Sequence, residues 1–235
     1  RVGLVTGEET CAVPIGAAPA ERLALVRVVV GVEAPLALAS GAAFSLGWRY
    51  RVSAPVFALT LLWSLSYRHS WGHMGHAEHL VTMHVCVLAA APASDAVAFD
   101  ARAGRSCAGD PRGYGWPLRL LMLVVVLSYM LAGWAKLVAG GWGWINGDAV
   151  CNQIAAEALR KTRIGALSSP LIEALLARGW LCAVLSCATI GVELGAFVAL
   201  FDSRLRALWV AAVWTMHVGI AAAMAILFGY PLTGA

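Results

Sequence analysis

The chain has 235 residues, 60% of them hydrophobic and 13% charged, with a formal net charge of +4. A soluble domain carries about 25% charged residues, so an ordinary water-soluble globule is excluded, and repeated apolar runs of spanning length place the chain in the membrane class. No basic run exceeds two consecutive residues, which excludes a nucleic-acid-binding patch.

Residues 1–20 read as an irregular lead-in, 21–230 as a single transmembrane bundle and 231–235 as a tail. The lead-in lacks a basic start followed by an apolar core, so no cleavable signal is expected. The first apolar run, 22–46, has Arg22 and Arg27 near its start, and Glu33-Ala34-Pro35 is expected to interrupt it with a kink. Gly47 to Ser53 reads as a loop, and Pro55 suits the first turn of a second helix ending near Tyr67. Five of the six histidines follow (His69, His73, His76, His79 and His84), with Glu78 among them. A third run covers 76–92 and a polar loop 93–116. The fourth run, 118–144, holds Tyr129 and Lys136. Segments 148–161 and 169–178 read as surface helices, amphipathic and suited to the membrane interface. The fifth run, 179–201, contains Glu193. A turn at Asp202–Arg206 then leads to a sixth run, 207–230, with His217.

The expected architecture is all-α: a polytopic integral membrane bundle of about six transmembrane helices plus one or two interfacial helices. Tryptophans near run ends (Trp48, Trp71, Trp116, Trp142, Trp144 and Trp180) suit interfacial belts. Arginines fall too evenly on the two sides for the positive-inside rule to assign an orientation. Among the cysteines, Cys86, Cys182 and Cys187 lie in apolar runs and read as small hydrophobes; Cys107 and Cys151 are a candidate pair that spacing alone does not support.

Ionisable groups at membrane depth are the candidate site. Tyr129 and Lys136 are seven residues apart and share a helix face, with Ala132 and Gly133 between them to admit a close neighbour. An ammonium in hydrocarbon costs several kcal/mol on the lower published scales, about 2.5–3.5, so it needs a partner or a task. Snorkelling to the headgroups is the plain alternative. Glu193 lies well inside its run and should be neutral or paired, for example with an arginine of the first helix. His217 sits mid-run, followed by small residues. His69, His73 and His76 would share a face if helical, and imidazoles suit zinc, copper or iron. Gly72 and Gly75 weaken that helix, and the plain alternative is a polar loop. No metal is predicted.

The stretch Tyr129-Met-Leu-Ala-Gly-Trp-Ala-Lys136-Leu137 resembles the Tyr-x-x-Ala-Gly-x-x-Lys-Leu signature of the vitamin K-dependent gamma-glutamyl carboxylases and of their bacterial relatives, the horizontally transferred transmembrane domain family. Further pieces agree in order: Leu23-Ala-Leu-Val-Arg27, His76 to Leu80, Pro92-Ala-Ser-Asp-Ala96 with Phe99-Asp100, Trp144-Ile-Asn-Gly147, Glu193, Phe201-Asp202 and His217. The likeness covers most of residues 20–230. It implies that Lys136 is a base that deprotonates a quinol, that His76 assists by hydrogen bonding, and that Tyr129, Glu193, His217 and His79 form the supporting polar core. A desolvated lysine can be neutral at pH 7, as a general base must be.

The 235 residues hold no soluble domain for a glutamyl substrate, so quinol or lipid chemistry is expected rather than peptide carboxylation. The expected cofactor is a membrane quinone or quinol. The expected partners are membrane lipids, a lipid-soluble ligand and other membrane subunits, and the expected location is a bacterial inner membrane. The alternative function is a non-catalytic transmembrane subunit of a larger complex, with Lys136 and Glu193 structural. A metal-dependent oxygenase built on the histidine cluster is a third reading.

Overall fold

A computed structural model describes the backbone of residues 19–70, 76–105 and 111–226, and the side chains of 31–70, 78–105 and 113–226. The described residues are helical, with no strand among them. They fall into two compact units, one drawn from residues 1–74 and 92–108, the other from 75–91 and 109–235.

In the first unit, α1 (Pro19–Leu46) and α2 (Tyr50–His69) form a helical hairpin. The helix α1 runs on through Pro35, so Glu33-Ala34-Pro35 does not end it. Gly41 lets Phe57 pack directly on α1; a Cβ there would lie 2.8 Å from the ring. Ser64 of α2 donates its hydroxyl proton to Glu33 of α1, giving this acid a local partner.

The turn is shorter than expected. α2 begins at Tyr50 and encloses Pro55, because Asp100, about 50 residues away, supplies the missing cap. The Asp100 carboxylate accepts the N–H of Arg49 at 3.0 Å and of Tyr50 at 2.7 Å, and Arg105 lies 3.2 Å from it. Asp100 belongs to the four-residue helix α4 (Phe99–Arg102), whose Asp100 N–H donates to the Gly47 carbonyl. Gly47, at φ 63°, has a conformation that favours glycine, and any Cβ would strike Ala98.

The Tyr50 N–H holds the Asp100 carboxyl below its usual range; burial opposes this, and the Arg49 N–H and the Arg105 charge add to it. A depressed acid stabilises the fold above its unfolded pKa of about 3.9, and that stabilisation drains away as pH falls through the lower folded value. Thermal unfolding in detergent is therefore expected to be insensitive to this group above about pH 5 and to weaken below about pH 4. Asp100→Asn should lower the neutral-pH midpoint and flatten the acid limb. An unchanged acid limb in the variant would refute the role given to Asp100.

The second unit contains α3 (His76–Ala90), a 3-10 turn at Pro111–Tyr114, and α5 (Gly115–Gly140). After α5 come α6 (Trp142–Ile145), α7 (Asp148–Arg163), α8 (Ile172–Leu176), α9 (Gly179–Leu194) and α10 (Ser203–Met224). The fifth run departs from expectation. Its helix tightens after Glu193 into a 3-10 segment, Gly195–Leu200. The sixth run also begins earlier, at Ser203, because Asp202 accepts the N–H groups of Ser203 and Arg204 as a helix cap.

Three helical stretches among the described residues are long and apolar enough to cross a membrane: Gly115–Gly140, Gly179–Leu200 and Ser203–Met224. At about 1.5 Å per residue each exceeds a hydrocarbon core of roughly 30 Å. Shorter apolar helices cover Gly31–Leu46 and Glu78–Ala90. Leu131, Trp134, Val138, Val184, Leu208 and Trp214 point outward and are exposed. That apolar exterior is a liability in water and the natural surface in lipid. The core joins Val126, Ala196, Ala199, Trp209 and Val213, with Met122, Tyr129 and Val192 packed against it.

The cysteine reading is corrected. Cys151 pairs with Cys182, with Cα atoms 5.6 Å apart, so Cys182 is half of a disulfide and not a small hydrophobe. Gly147 brings the two together: at φ 87° it lies so close to the Ala183 backbone that a Cβ would collide with it. Cys107 lies outside the described residues. The first expected surface helix forms as α7, two residues longer than expected, and the second only over the five residues of α8. The buried Lys161 of α7 donates to the carbonyls of Met224 and Ala225 at 2.6 and 2.7 Å, and Ser169 donates to that of Ala222. Together they close the C-terminus of α10.

A buried lysine–glutamate pair as the candidate functional site

The Lys136 ammonium donates to both oxygens of Glu193, at 2.6 and 2.7 Å. The Glu193 side chain is buried; that of Lys136 is 23% exposed. The lysine is thus held by a carboxylate of a neighbouring helix, and the partner expected for Glu193 is Lys136, not a first-helix arginine. Glu193 is the fifteenth residue of α9, about 21 Å from its start, with the 3-10 segment still to follow. The pair thus sits inside the span, where an unpaired charge is costly.

Small residues make the meeting possible, as the sequence anticipated. Gly133, one turn before Lys136, is buried against α9; a Cβ there would lie 2.9 Å from Glu193 Cβ and 3.1 Å from Leu194. Gly133→Ala is expected to cost about 1–3 kcal/mol by overpacking, despite the helix propensity of alanine. Gly191, where an added Cβ would meet nothing within 4 Å, is the control, and Gly191→Ala should be neutral or slightly stabilising. Equal midpoints for the two variants in detergent unfolding would contradict the close approach.

Around the pair lie two aromatic groups. The Lys136 ammonium stands 5.4 Å from the centroid of the Trp144 ring, within cation–π range. The sequence places Trp144 in an interfacial belt near the end of its run; the structure adds a contact of its ring with the lysine ammonium. Farther along α5, Tyr129 makes edge-on contacts with Trp209 at 5.3 Å and His217 at 6.1 Å. The indole N–H of Trp209 donates to the Val192 carbonyl at 2.9 Å, next to Glu193 and just before the helix tightens. His217 is buried, and its Nδ1–H donates to the Val213 carbonyl at 2.9 Å, a bond that fixes the tautomer at that nitrogen.

The histidine segment is divided. His69 closes α2 and His76 opens α3, so these two do not share one helix, and His73 falls outside the described residues. The side chain of His76 also falls outside them. His79 lies in the first turn of α3, which packs on α5. His84 donates from Nδ1 to the Leu80 carbonyl at 2.7 Å. Among the described residues no group of three or more His, Cys, Asp or Glu side chains is arranged to hold a metal. Trp144 and Trp209 are the site residues that sequence reasoning missed. Only the Trp-x-x-Gly spacing hinted at the first, and no signal marked the second.

These features define a class: an integral membrane helical protein with an ion pair between adjacent spans. The chain belongs to the HTTM domain family, the membrane domain family of vitamin K-dependent gamma-glutamyl carboxylase, whose model matches residues 25–230. No curated protein and no solved structure matches the chain.

Proposed function

We propose that this protein is a membrane-embedded, carboxylase-like protein that acts on a lipid-soluble quinol or similar weak acid, with Lys136 as the base. The observation that supports this reading is the Lys136–Glu193 contact inside the span. For the lysine to act as a base, the ammonium must first pass a proton to the carboxylate. With that proton on Glu193, the amine has a lone pair to accept the O–H proton of a quinol. The products are an ammonium and a quinolate, with the ammonium held by the Glu193 side chain and the Trp144 ring. Family membership supports the same assignment, and the packing of α3 on α5 suits a hydrogen-bonding role for His76 or His79. Tyr129 and His217 then set the polarity of the adjoining interior. In this reading α1, α2 and α3 join the three long helices to make about six spans, in a bacterial inner membrane.

The test is aerobic turnover of tetramethyl-1,4-benzoquinol by purified protein, with dissolved oxygen as oxidant. Lys136→Ala is expected to lower the rate by about 10²–10⁴, the usual contribution of a positioned base. Unchanged turnover removes Lys136 from that role. A second reading, a non-catalytic subunit of a membrane complex, is favoured by one fact: the ammonium already engages both carboxylate oxygens. Stoichiometric co-purification of partners in mild detergent, with no quinol turnover, would select it.

A further inference from the structure

We propose that Trp144 is a positioning residue for the Lys136 amine, an inference that rests on the proton-transfer reading of that lysine. The two residues are eight apart. In one continuous helix they would be separated by about 12 Å along the axis, too far for this contact to be a by-product of helical spacing. The chain breaks to bring them together. Gly141, at φ 50° and ψ −129°, has a backbone conformation that L side chains rarely adopt, and it ends α5 and starts the separate helix α6.

The indole then lies directly on Gly140, where any Cβ would collide with ring atoms. From the other side, Ser186 of α9 donates its hydroxyl proton to the Trp144 carbonyl. Two consecutive glycines and a serine from a neighbouring helix thus fix where this ring sits. Its face is directed at the ammonium, at 5.4 Å.

The chemical need is clear from the lysine side chain. Its flexible four-carbon stem leaves the amine several ways to turn, and Glu193 restrains it from one side only. The Trp144 face restrains it from another. The ammonium is attracted to the ring more strongly when desolvated, so the hold tightens as the proton is gained. The indole and the carboxylate together thereby limit the directions in which Nζ can meet a ligand hydroxyl.

Because the chain has two lysines, Lys136 and Lys161, the geometry can be read directly. Protein labelled with ¹³Cε-lysine in detergent micelles should give two Cε–H signals, assigned with Lys136→Met. The Lys136 protons are expected upfield of the ordinary lysine position, shifted by the indole ring current. Trp144→Leu should abolish the shift, Trp144→Phe should retain part of it, and Gly140→Ala should change it while the indole is still present. If Trp144→Leu does not fold, the other two variants decide. A Lys136 signal that does not move in any of them overturns the placement. In the quinol assay, Trp144→Leu is expected to lower kcat by about tenfold to a hundredfold with little change in KM, and Trp144→Phe to restore most of it. A lost ring-current shift with undiminished kcat overturns the positioning role. Undiminished turnover in Lys136→Ala instead defeats the proton-transfer reading, and leaves the ring-current result to report on the contact alone.

Discussion

Glu193→Leu is expected to destabilise the protein by about 3–5 kcal/mol, the usual cost of removing one member of a buried ion pair. The substitution leaves the Lys136 ammonium inside the span with the Trp144 ring beside it. Lys136→Met should also destabilise, because it orphans the more deeply buried carboxyl; either orphaned group sheds part of that cost by becoming neutral. The double variant Lys136→Met/Glu193→Leu should recover most of the loss, since well-packed apolar side chains often match a buried pair in stability. A double-mutant cycle measured by unfolding in detergent gives the coupling directly. Additive single effects would show that the two groups do not depend on each other. The comparison also separates stability from function. The double variant that regains its midpoint should still lack quinol turnover, because no base remains.

The main features of this site were legible because charge is scarce in the chain. With 13% charged residues, a lysine and a glutamate inside apolar runs stand out, and the cost of burying either one predicts a partner. The small residues at Ala132 and Gly133 likewise pointed to the face on which α9 arrives. The partner's identity was not legible, since apolar runs do not state which helices are neighbours. The tightening of the fifth run after Glu193 gives no pattern either, because a 3-10 segment keeps nearly the same hydrophobic spacing over six residues. The start of α2 is hidden for a related reason. Pro55 is a good local signal for a first turn, but the cap comes from Asp100, and a long-range cap leaves no mark in neighbouring residues. For Trp144, a place near a run end accounts for an interfacial tryptophan but gives no sign of the lysine contact, which arises because glycines at 140 and 141 turn the ring back toward its own helix.

Loss of the Cys151–Cys182 bond should have the second large effect, about 3–4 kcal/mol from the freed chain entropy of a 31-residue separation. The bond ties α7 to α9, and the rest of α7 depends on that tie for a second task. Ten residues after Cys151, Lys161 places its ammonium on the last carbonyls of α10. Cys151→Ser is therefore expected to lower the unfolding midpoint and also to loosen the α10 terminus, seen as faster amide exchange at Ala221–Ala225. Lys161→Met should reproduce the second effect while leaving the disulfide in place. Cys182 is fully buried and Cys151 only partly so, which leaves reductant one side of approach; reduction should be slower in the folded than in the unfolded protein. Such bonds persist in oxidising compartments, and peptides containing residues 151 and 182 should be recovered cross-linked from non-reduced membranes. Alkylation of Cys182 in folded, unreduced protein would refute the pairing. Wild-type exchange at Ala221–Ala225 in Cys151→Ser would show that Lys161 holds α10 without help from the disulfide.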